Sequence, residues 1–280
     1  MCYNFKMIDI NKNCNPSKVL CVHDLSCVGR CSLGTAISIL SSFGLEPIAL
    51  PTALYSMHTG FDEYFVQDLS IPMTNILKAW DSLDIKFNAI YSGFLKSISQ
   101  INVLLQAIDT YNTLTIVDPA FGDDGLLYSG YDSKFVKHFA KYVVPKADIL
   151  LPNITEAMYL TNTPYQSPPY TRAFVSNLID KLLQLGGKYI IISSIRYDDS
   201  TIGVVLYDGK QLDEIMYNYV DHSCSGAGDL WASLLVGYLL KGNQLLQSAQ
   251  LASQKLNEAL MLTVDFSNGI NYFSIINGIS

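Results

Sequence analysis

The sequence of 280 residues is poor in charge and contains no long basic tract. Only 15% of the residues are charged, and the formal net charge is −7. Nucleic-acid binding depends on clustered Lys and Arg side chains that contact phosphates, so we expect no nucleic-acid partner. An acidic chain can still bind a nucleotide, because backbone N–H groups and Mg²⁺ can hold its phosphates.

Cysteine and histidine are scarce and are not spaced for a structural zinc site. None of the six cysteines belongs to a CxxC pair, and only four histidines are present. We therefore expect reduced thiols in the core or in loops, and Cys224 either packs there or contacts a ligand. The cysteines are Cys2, Cys14, Cys21, Cys27, Cys31 and Cys224.

No segment of the sequence shows the pattern of a targeting peptide, and no apolar run is long. The polar residues 1–17 show neither the apolar core of a signal peptide nor an amphipathic basic pattern. The longest apolar stretch, residues 230–240, is too short to cross a bilayer. We expect a cytoplasmic protein without a membrane partner. Because no linker, repeat or low-complexity block divides the chain, we expect one domain over residues 18–280 after a polar extension, residues 1–17.

Strand-like and helix-like segments alternate along the chain. Residues 18–23 and 46–50 predict buried strands, and residues 245–262 predict a helix. A further helix is predicted after Ser97, where Gln100 would complete a capping box. This alternation predicts βαβ units and an α/β fold with a mostly parallel central sheet, covered by helices on both faces.

Polar side chains follow several of the predicted strands. Ligands of parallel sheets bind beyond the carboxyl ends of the strands. These side chains are mainly carboxylates, amides and small hydroxyls, so we interpret them as the edge of one pocket. They belong to His23, Asp24, Ser92, Asp118, Asn153, Ser193 and Ser194.

The most distinctive motif is Ser225-Gly226-Ala227-Gly228-Asp229, which an apolar helix follows directly. Free N–H groups at such a helix start, together with the helix dipole, favour an anion. The Asp229 carboxylate can orient and deprotonate a hydroxyl, and we expect it to stay ionised beside the helix N-terminus. The motif predicts phosphoryl transfer to an alcohol. Alternatively, the glycines only form a turn and Asp229 only caps the helix.

Five motifs occur in order with fitting spacing, at residues 22–33, 50–53 with 58–60, 118–125, 147–157 and 226–229. Together they resemble the signatures of bacterial pyridoxal kinases, which belong to the ribokinase-like superfamily. The resemblance implies a three-layer α/β/α fold and ATP-dependent phosphorylation of the 5′-hydroxymethyl group of vitamin B6. It also implies Mg²⁺, often helped by K⁺, and a homodimer.

The resemblance assigns roles to the residues that match its motifs. Asp229 would be the catalytic base, and Gly226, Ala227 and Gly228 would form the anion hole for the transferring phosphate. The ATP-binding residues would be Asp118, Asn153, Glu156, Ser193 and Ser194, and the first three would also serve the metal. Substrate-binding residues would be Asp24, Ser26, His58, Thr59 and Asp123.

Several of these assignments have a plain structural alternative. Asn153 and Glu156 have the spacing of a capping box, and both roles can hold together. Ser193 and Ser194 could simply hydrogen-bond at a strand end, and His58 could be satisfied within a loop. Asp24 stands where better-known pyridoxal kinases have a serine that contacts the ring, so either Asp24 or Ser26 contacts it. Ala227 replaces their usual threonine.

Other functions stay open at this point. A hydroxymethylpyrimidine kinase of thiamine synthesis usually has a Gly- and Ser-rich loop after the first strand, and a Cys in place of Asp229. A sugar kinase of the same fold usually has paired glycines near the N-terminus. A non-catalytic protein that binds vitamin B6 would be favoured by degraded catalytic residues, but Asp229, Asn153 and Glu156 are all present.

Overall fold

The computed structural model describes residues 16–219 and 225–278. Most of the predicted extension and Cys2, Cys14 and Cys224 lie outside these residues. The division into an extension and one domain therefore stays a prediction.

Strands and helices alternate along the described residues, as the sequence predicts. The strands are β1 (Lys18–Ser26), β2 (Glu46–Tyr55), β3 (Val66–Asp68), β4 (Ala89–Ser92), β5 (Leu114–Val117), β6 (Gly122–Asp123), β7 (Leu126–Leu127), β8 (Ile149–Leu150), β9 (Tyr189–Ile195), β10 (Thr201–Tyr207) and β11 (Leu212–Asn218). The helices are α1 (Ser32–Ser42), α2 (Ser70–Trp80), α3 (Ile98–Tyr111), α4 (Ser133–Tyr142), α5 (Ile154–Leu160), α6 (Arg172–Gln184), α7 (Ala227–Leu240) and α8 (Leu245–Leu262).

Nine strands form one sheet in the order β11-β10-β9-β8-β5-β4-β1-β2-β3. From β9 to β2 every neighbouring pair is parallel, while β10, β11 and β3 are antiparallel to their neighbours. β6 and β7 form a small separate hairpin. The carboxyl ends of six parallel strands therefore meet at one edge of the sheet, where the predicted pocket residues follow them.

Helices cover the sheet in two layers. On one face, buried residues of α2 to α6 pack against strand residues such as Leu20 and Ile90. On the other face, α1, α7 and α8 pack against Cys21 and Tyr91 among others. Alternate residues of β1 and β4 thus enter opposite cores, as the strand period of two requires. The predicted three-layer α/β/α fold with a mostly parallel sheet is confirmed.

The helix α7 is the central helix of its layer. Every residue from Leu230 to Leu240 is buried, and a helix that is apolar all round belongs in a core. The prediction that an apolar helix follows the glycine motif is thereby confirmed. Within the described residues, no helix combines the length and the apolar character that a membrane crossing needs.

Two local predictions needed correction. The second strand continues past residue 50 to Tyr55, because Ala53–Tyr55 pair with β3, a three-residue strand that the sequence did not reveal. The capping box at α3 is only half formed. Ser97 accepts the N–H of Gln100, but the Gln100 side chain accepts the N–H of Lys96 rather than that of Ser97.

Candidate functional site

The glycine motif forms a tight turn in front of α7. Gly226 is the N-cap with a φ of 82°, a left-handed conformation that favours glycine. A Cβ at this position would lie 2.0 Å from the carbonyl oxygen of Arg30. Gly228, in the first helical turn, has no atom within 4 Å of such a Cβ. The backbone geometry therefore requires glycine at position 226. At position 228, in contrast, the absence of a side chain leaves open space beside the turn.

Asp229 lies in the first turn of α7 and is half-buried. Burial raises the pKa of its carboxyl, and an interaction with the backbone N–H of Ser32 opposes this rise. This shift opposes the effect of the helix N-terminus, and our expectation that Asp229 stays ionised at neutral pH stays a prediction. Loss of water around the carboxylate has the larger effect, and a raised pKa makes Asp229 a better proton acceptor.

Asp24 is a buried residue near the end of β1, with only 6% of it exposed. It lies close enough to Asp229 to feel the charge of that carboxyl group. Burial raises the pKa of Asp24 to about 7; interactions with the Ser32 and Ser26 hydroxyls oppose the rise, and the negative charge of Asp229 adds to it. Ser32 thus interacts with both carboxyl groups, with Asp24 through its hydroxyl and with Asp229 through its backbone N–H. The sequence offers no sign of this role for Ser32, because a serine at a helix start is an ordinary capping signal.

Ser32 also adopts an unusual backbone conformation. Its φ is 47°, and the preceding N-cap residue, Cys31, makes no capping hydrogen bond through its side chain. Strained backbone of this kind concentrates at functional sites. Cys31 itself is a buried thiol, Cys21 is also buried, and Cys27 is exposed; these three cysteines are free.

Glu156 joins α5 to the loop that follows β5. Its Oε1 accepts the N–H of Phe121 at 2.8 Å, and its Oε2 accepts the N–H of Asn153 at 2.9 Å. The side chain is 1% exposed. Burial, followed by the charge of Asp118, raises its pKa well above the ordinary value, against the backbone hydrogen bonds. Burial therefore disfavours the ionised form of Glu156, and hydrogen bonds from backbone N–H groups partly offset this cost.

Asn153 uses both ends of its amide within the protein. Its Oδ1 accepts the Glu156 N–H at 2.9 Å, and its Nδ2 donates to the Gly122 carbonyl at 2.7 Å. The predicted capping box of Asn153 and Glu156 is thus confirmed. Of the two neighbouring carboxyl groups, Asp118 accepts fewer hydrogen bonds from the described residues than Glu156 does. Burial and the charge of Asp229 raise the pKa of Asp118 to about 8.

Asp118, Asn153 and Glu156 could help to bind Mg²⁺ only if a phosphate group supplied further ligands. No three side chains of His, Cys, Asp or Glu in the part of the chain that the structure describes could hold a metal ion by themselves. Mg²⁺, however, usually takes one or two protein carboxylates, several waters and substrate phosphates. A cation beside Asp118 would relieve the repulsion that raises its pKa. The donor set therefore fits Mg²⁺ that arrives with a nucleotide.

Ser193 and Ser194 lie at the end of β9, next to Asn153. Ser193 forms an isolated bridge with Asn153 and donates its N–H to the Pro152 carbonyl at 3.0 Å. Ser194 has a φ of 61°, at a register shift between β9 and β10. Asp123 is exposed in the β6–β7 hairpin and accepts the N–H of Asp124. The structure thus brings both serines to the same edge of the sheet as Asp118 and Asn153.

His58 has both ring nitrogens engaged with the protein. Nδ1 accepts the Gly60 N–H at 3.1 Å, and Nε2 lies 3.1 Å from the Ser267 carbonyl oxygen, to which it donates. A Cβ at Gly29 would approach the ring to 2.6 Å. The structure therefore favours the loop role of His58 over the substrate-binding role that the resemblance implies. The neighbouring Thr59 is exposed.

A separate cavity lies away from these residues, between α6 and the β10–β11 hairpin. It has a volume of about 410 Å³, and Arg172 and Glu214 are among the residues that line it. Arg172 forms an exposed two-pronged ion pair with Glu214, with N–O distances of 2.9 Å. None of the predicted site residues lines this cavity.

The topology and the site together define a three-layer α/β/α kinase fold of the ribokinase-like type. The model of the phosphomethylpyrimidine kinase family matches residues 38–273, and the chain belongs to this family. The family membership that the motifs imply is thus confirmed, because curated pyridoxal kinases are among the relatives. The chain is thus a kinase of the group that contains the pyridoxal kinases and the phosphomethylpyrimidine kinases.

The relatives include both pyridoxal kinases and hydroxymethylpyrimidine/phosphomethylpyrimidine kinases. A pyridoxal kinase from Granulibacter bethesdensis is 24% identical over 265 residues, which cover 88% of this chain and 90% of the relative. A hydroxymethylpyrimidine/phosphomethylpyrimidine kinase from Bacillus subtilis is 25% identical over 192 residues, 66% of this chain and 68% of the relative. A crystal structure of a putative phosphomethylpyrimidine kinase from Bacteroides thetaiotaomicron with pyridoxal is 30% identical, with a TM-score of 0.89, covering 95% of this chain and 96% of that chain.

Proposed function

We propose that the chain transfers the γ-phosphoryl group of ATP to the 5′-hydroxymethyl group of a B6 vitamer, in pyridoxal 5′-phosphate salvage. The observation that carries the proposal is the glycine turn beside Asp229 and Asp24, at the carboxyl edge of the parallel sheet. The similar Bacteroides protein, which was crystallised with pyridoxal, supports the choice of acceptor.

In the proposed reaction the acceptor oxygen attacks the γ-phosphorus and the bond from this phosphorus to the ADP oxygen breaks. Asp229 orients the hydroxyl and takes its proton late, which suits a loose transition state. The backbone N–H groups of Gly226, Ala227 and Gly228 stabilise the charge on the transferring group. Burial raises the pKa of Asp229, which favours proton transfer to it.

The remaining residues bind the two substrates. Asp118 would contact Mg²⁺ with the triphosphate, and Asn153 and Glu156 would act through its waters, because their side chains are engaged in the capping box. The ion would neutralise phosphate charge. Ser193 and Ser194 would contact the phosphates, and Asp24, Ser26, Thr59 and Asp123 would line the acceptor site. We further propose a cytoplasmic homodimer and activation by K⁺, as the resemblance implies.

A hydroxymethylpyrimidine acceptor is the second candidate, since the family model and the Bacillus relative carry that activity in their names. The buried Asp24 carboxyl suits either ring, because it can accept from a protonated pyridine nitrogen or from an aminopyrimidine. The acceptor therefore has to be decided by turnover.

The test is release of ADP from Mg-ATP in the presence of pyridoxal, pyridoxine, pyridoxamine or hydroxymethylpyrimidine. Activity with one or more B6 vitamers above the acceptor-free background would support the proposal. Activity with the pyrimidine alone would replace it by the second candidate. Binding of a vitamer without ADP release from any acceptor would identify a non-catalytic binding protein.

A further inference from the structure

The segment that follows α8 lies against the glycine turn. We call residues 263–271 the C-terminal belt. The Ile270 N–H donates to the Ser225 carbonyl at 3.1 Å. A Cβ at Gly269 would lie 2.7 Å from the same carbonyl oxygen. The belt therefore fixes the residue at which the glycine turn begins.

Arg30 holds this belt from the loop between β1 and α1. Its Nε and Nη2 donate to the Gly269 carbonyl at 3.1 and 2.5 Å, and Nη2 also donates to the Asp265 carbonyl at 3.1 Å. Its backbone N–H donates to the Asn268 carbonyl at 2.8 Å. The planar guanidinium suits this task, because it offers several donors in a rigid fork.

The backbone of Arg30 also lies against the glycine turn. A Cβ on Gly226 would lie only 2.0 Å from the carbonyl oxygen of Arg30. Two residues further along, the Ser32 N–H interacts with the Asp229 carboxyl. Arg30 thus touches the glycine turn directly through its backbone and indirectly through the belt.

His58 provides a second attachment of the belt, through Ser267. It belongs to the loop after β2, and its backbone N–H donates to the Val28 carbonyl at 2.9 Å. His58 thus attaches to the belt at Ser267, two residues before Gly269. The Arg30 side chain binds the belt at Gly269, next to the residue that donates to Ser225.

We propose that Arg30 is a positioning residue for the glycine turn: its guanidinium fixes the C-terminal belt, and the belt fixes Ser225. The kinetic part of this inference rests on the proposed function. Loss of the guanidinium would leave the buried Gly269 carbonyl without its side-chain donors. The belt would then shift, and the anion-binding N–H groups would shift with it.

The test compares Arg30→Ala with Arg172→Ala, which removes an equally large cation from a surface ion pair outside the site. We expect kcat of Arg30→Ala to fall about ten- to hundred-fold, the scale of an ångström-level misplacement, with KM for the acceptor unchanged. Millimolar guanidinium should restore part of kcat in this variant and none in Arg172→Ala. An unchanged kcat, or a loss that guanidinium does not relieve, would overturn the inference.

Amide hydrogen exchange tests the same inference without turnover. We expect faster exchange at residues 226–230 and 267–271 in Arg30→Ala and wild-type exchange there in Arg172→Ala. Equal exchange in both variants would overturn the role of Arg30. If wild-type protein phosphorylates no acceptor, the proposed function fails while exchange still decides Arg30. If Arg30→Ala does not fold, Arg30→Lys takes its place, and we expect a smaller change of the same sign, because an ammonium lacks the planar fork.

Discussion

Replacement of Gly226 by alanine should destabilise the protein and slow phosphoryl transfer. The new Cβ would lie 2.0 Å from the Arg30 carbonyl oxygen and 3.3 Å from Cys31 Cα, where ordinary contacts begin at 3.4 Å. The turn or the Arg30 backbone must therefore retreat by more than an ångström. The left-handed backbone costs alanine about 1–2 kcal/mol, and overpacking adds about 1–3 kcal/mol.

We therefore expect Gly226→Ala to lower the free energy of unfolding by about 2–5 kcal/mol. We also expect it to reduce kcat about 10²-fold, since the N–H donors are displaced by about an ångström. Urea unfolding followed by fluorescence measures the first quantity, and ADP release under saturating substrates measures the second.

Gly228→Ala is the informative comparison, because its Cβ would meet no atom within 4 Å. In the first turn of a helix, alanine should leave stability unchanged or raise it by up to about 1 kcal/mol. Its methyl group would occupy the open space beside the turn, so turnover should still fall. A Gly226→Ala protein with wild-type stability would refute the reasoning, and so would a Gly228→Ala protein that unfolds more easily than wild type.

Three further predictions concern buried groups around the turn. Asp229→Asn should keep ATP binding and lose about 10²–10⁴-fold in kcat, the usual contribution of a general base; undiminished turnover would remove Asp229 from that role. In the native state Asp24 keeps its proton up to about pH 7, whereas in the unfolded chain it ionises near about pH 4. The native state therefore binds more protons in this window, and its stability falls as pH rises. In Asp24→Asn, urea midpoints from about pH 5 to about pH 8 should show a shallower fall; an unchanged slope would contradict the assignment. Gly93→Ala would place a Cβ 2.4 Å from Nδ1 of the buried His23. It should cost about 1–3 kcal/mol of stability, in contrast to Gly34→Ala in α1, where a Cβ meets nothing within 4 Å; equal melting temperatures for the two variants would count against the clash.

The elements that the sequence predicted well are those with strong local signals. The helix α8 (Leu245–Leu262) begins and ends at the predicted residues, because its apolar periodicity and polar ends are local properties. β3, β6 and β7 escaped prediction, since two or three residues cannot display an alternating pattern. Their pairing depends on β2 and on one another, and no local signal reports it.

The candidate site shows the same difference between local sequence signals and contacts that are distant in the chain. Asp24, Asp118, Asn153 and Ser193 could be grouped from sequence, because parallel strands bring their carboxyl ends to one edge. The contact of Arg30 with Gly269 could not, since the two residues are 239 positions apart in the chain. The role of His58 was undecidable from sequence for the same reason, because its partner is Ser267.

The carboxyl groups at this edge of the sheet share an environment that disfavours their ionised forms. Burial is the largest cause of the raised pKa at Asp24, Asp118, Glu156 and Asp229 alike, and three of the four also feel a neighbouring carboxyl group. Arg30, the cation beside the glycine turn, directs its guanidinium to carbonyl oxygens of the belt. Burial therefore favours the neutral forms of these carboxyl groups, and their ionisation in place costs stability. Under the proposed function, a divalent cation bound with the nucleotide would favour the ionised form of Asp118, whose pKa is raised by burial and by the charge of Asp229.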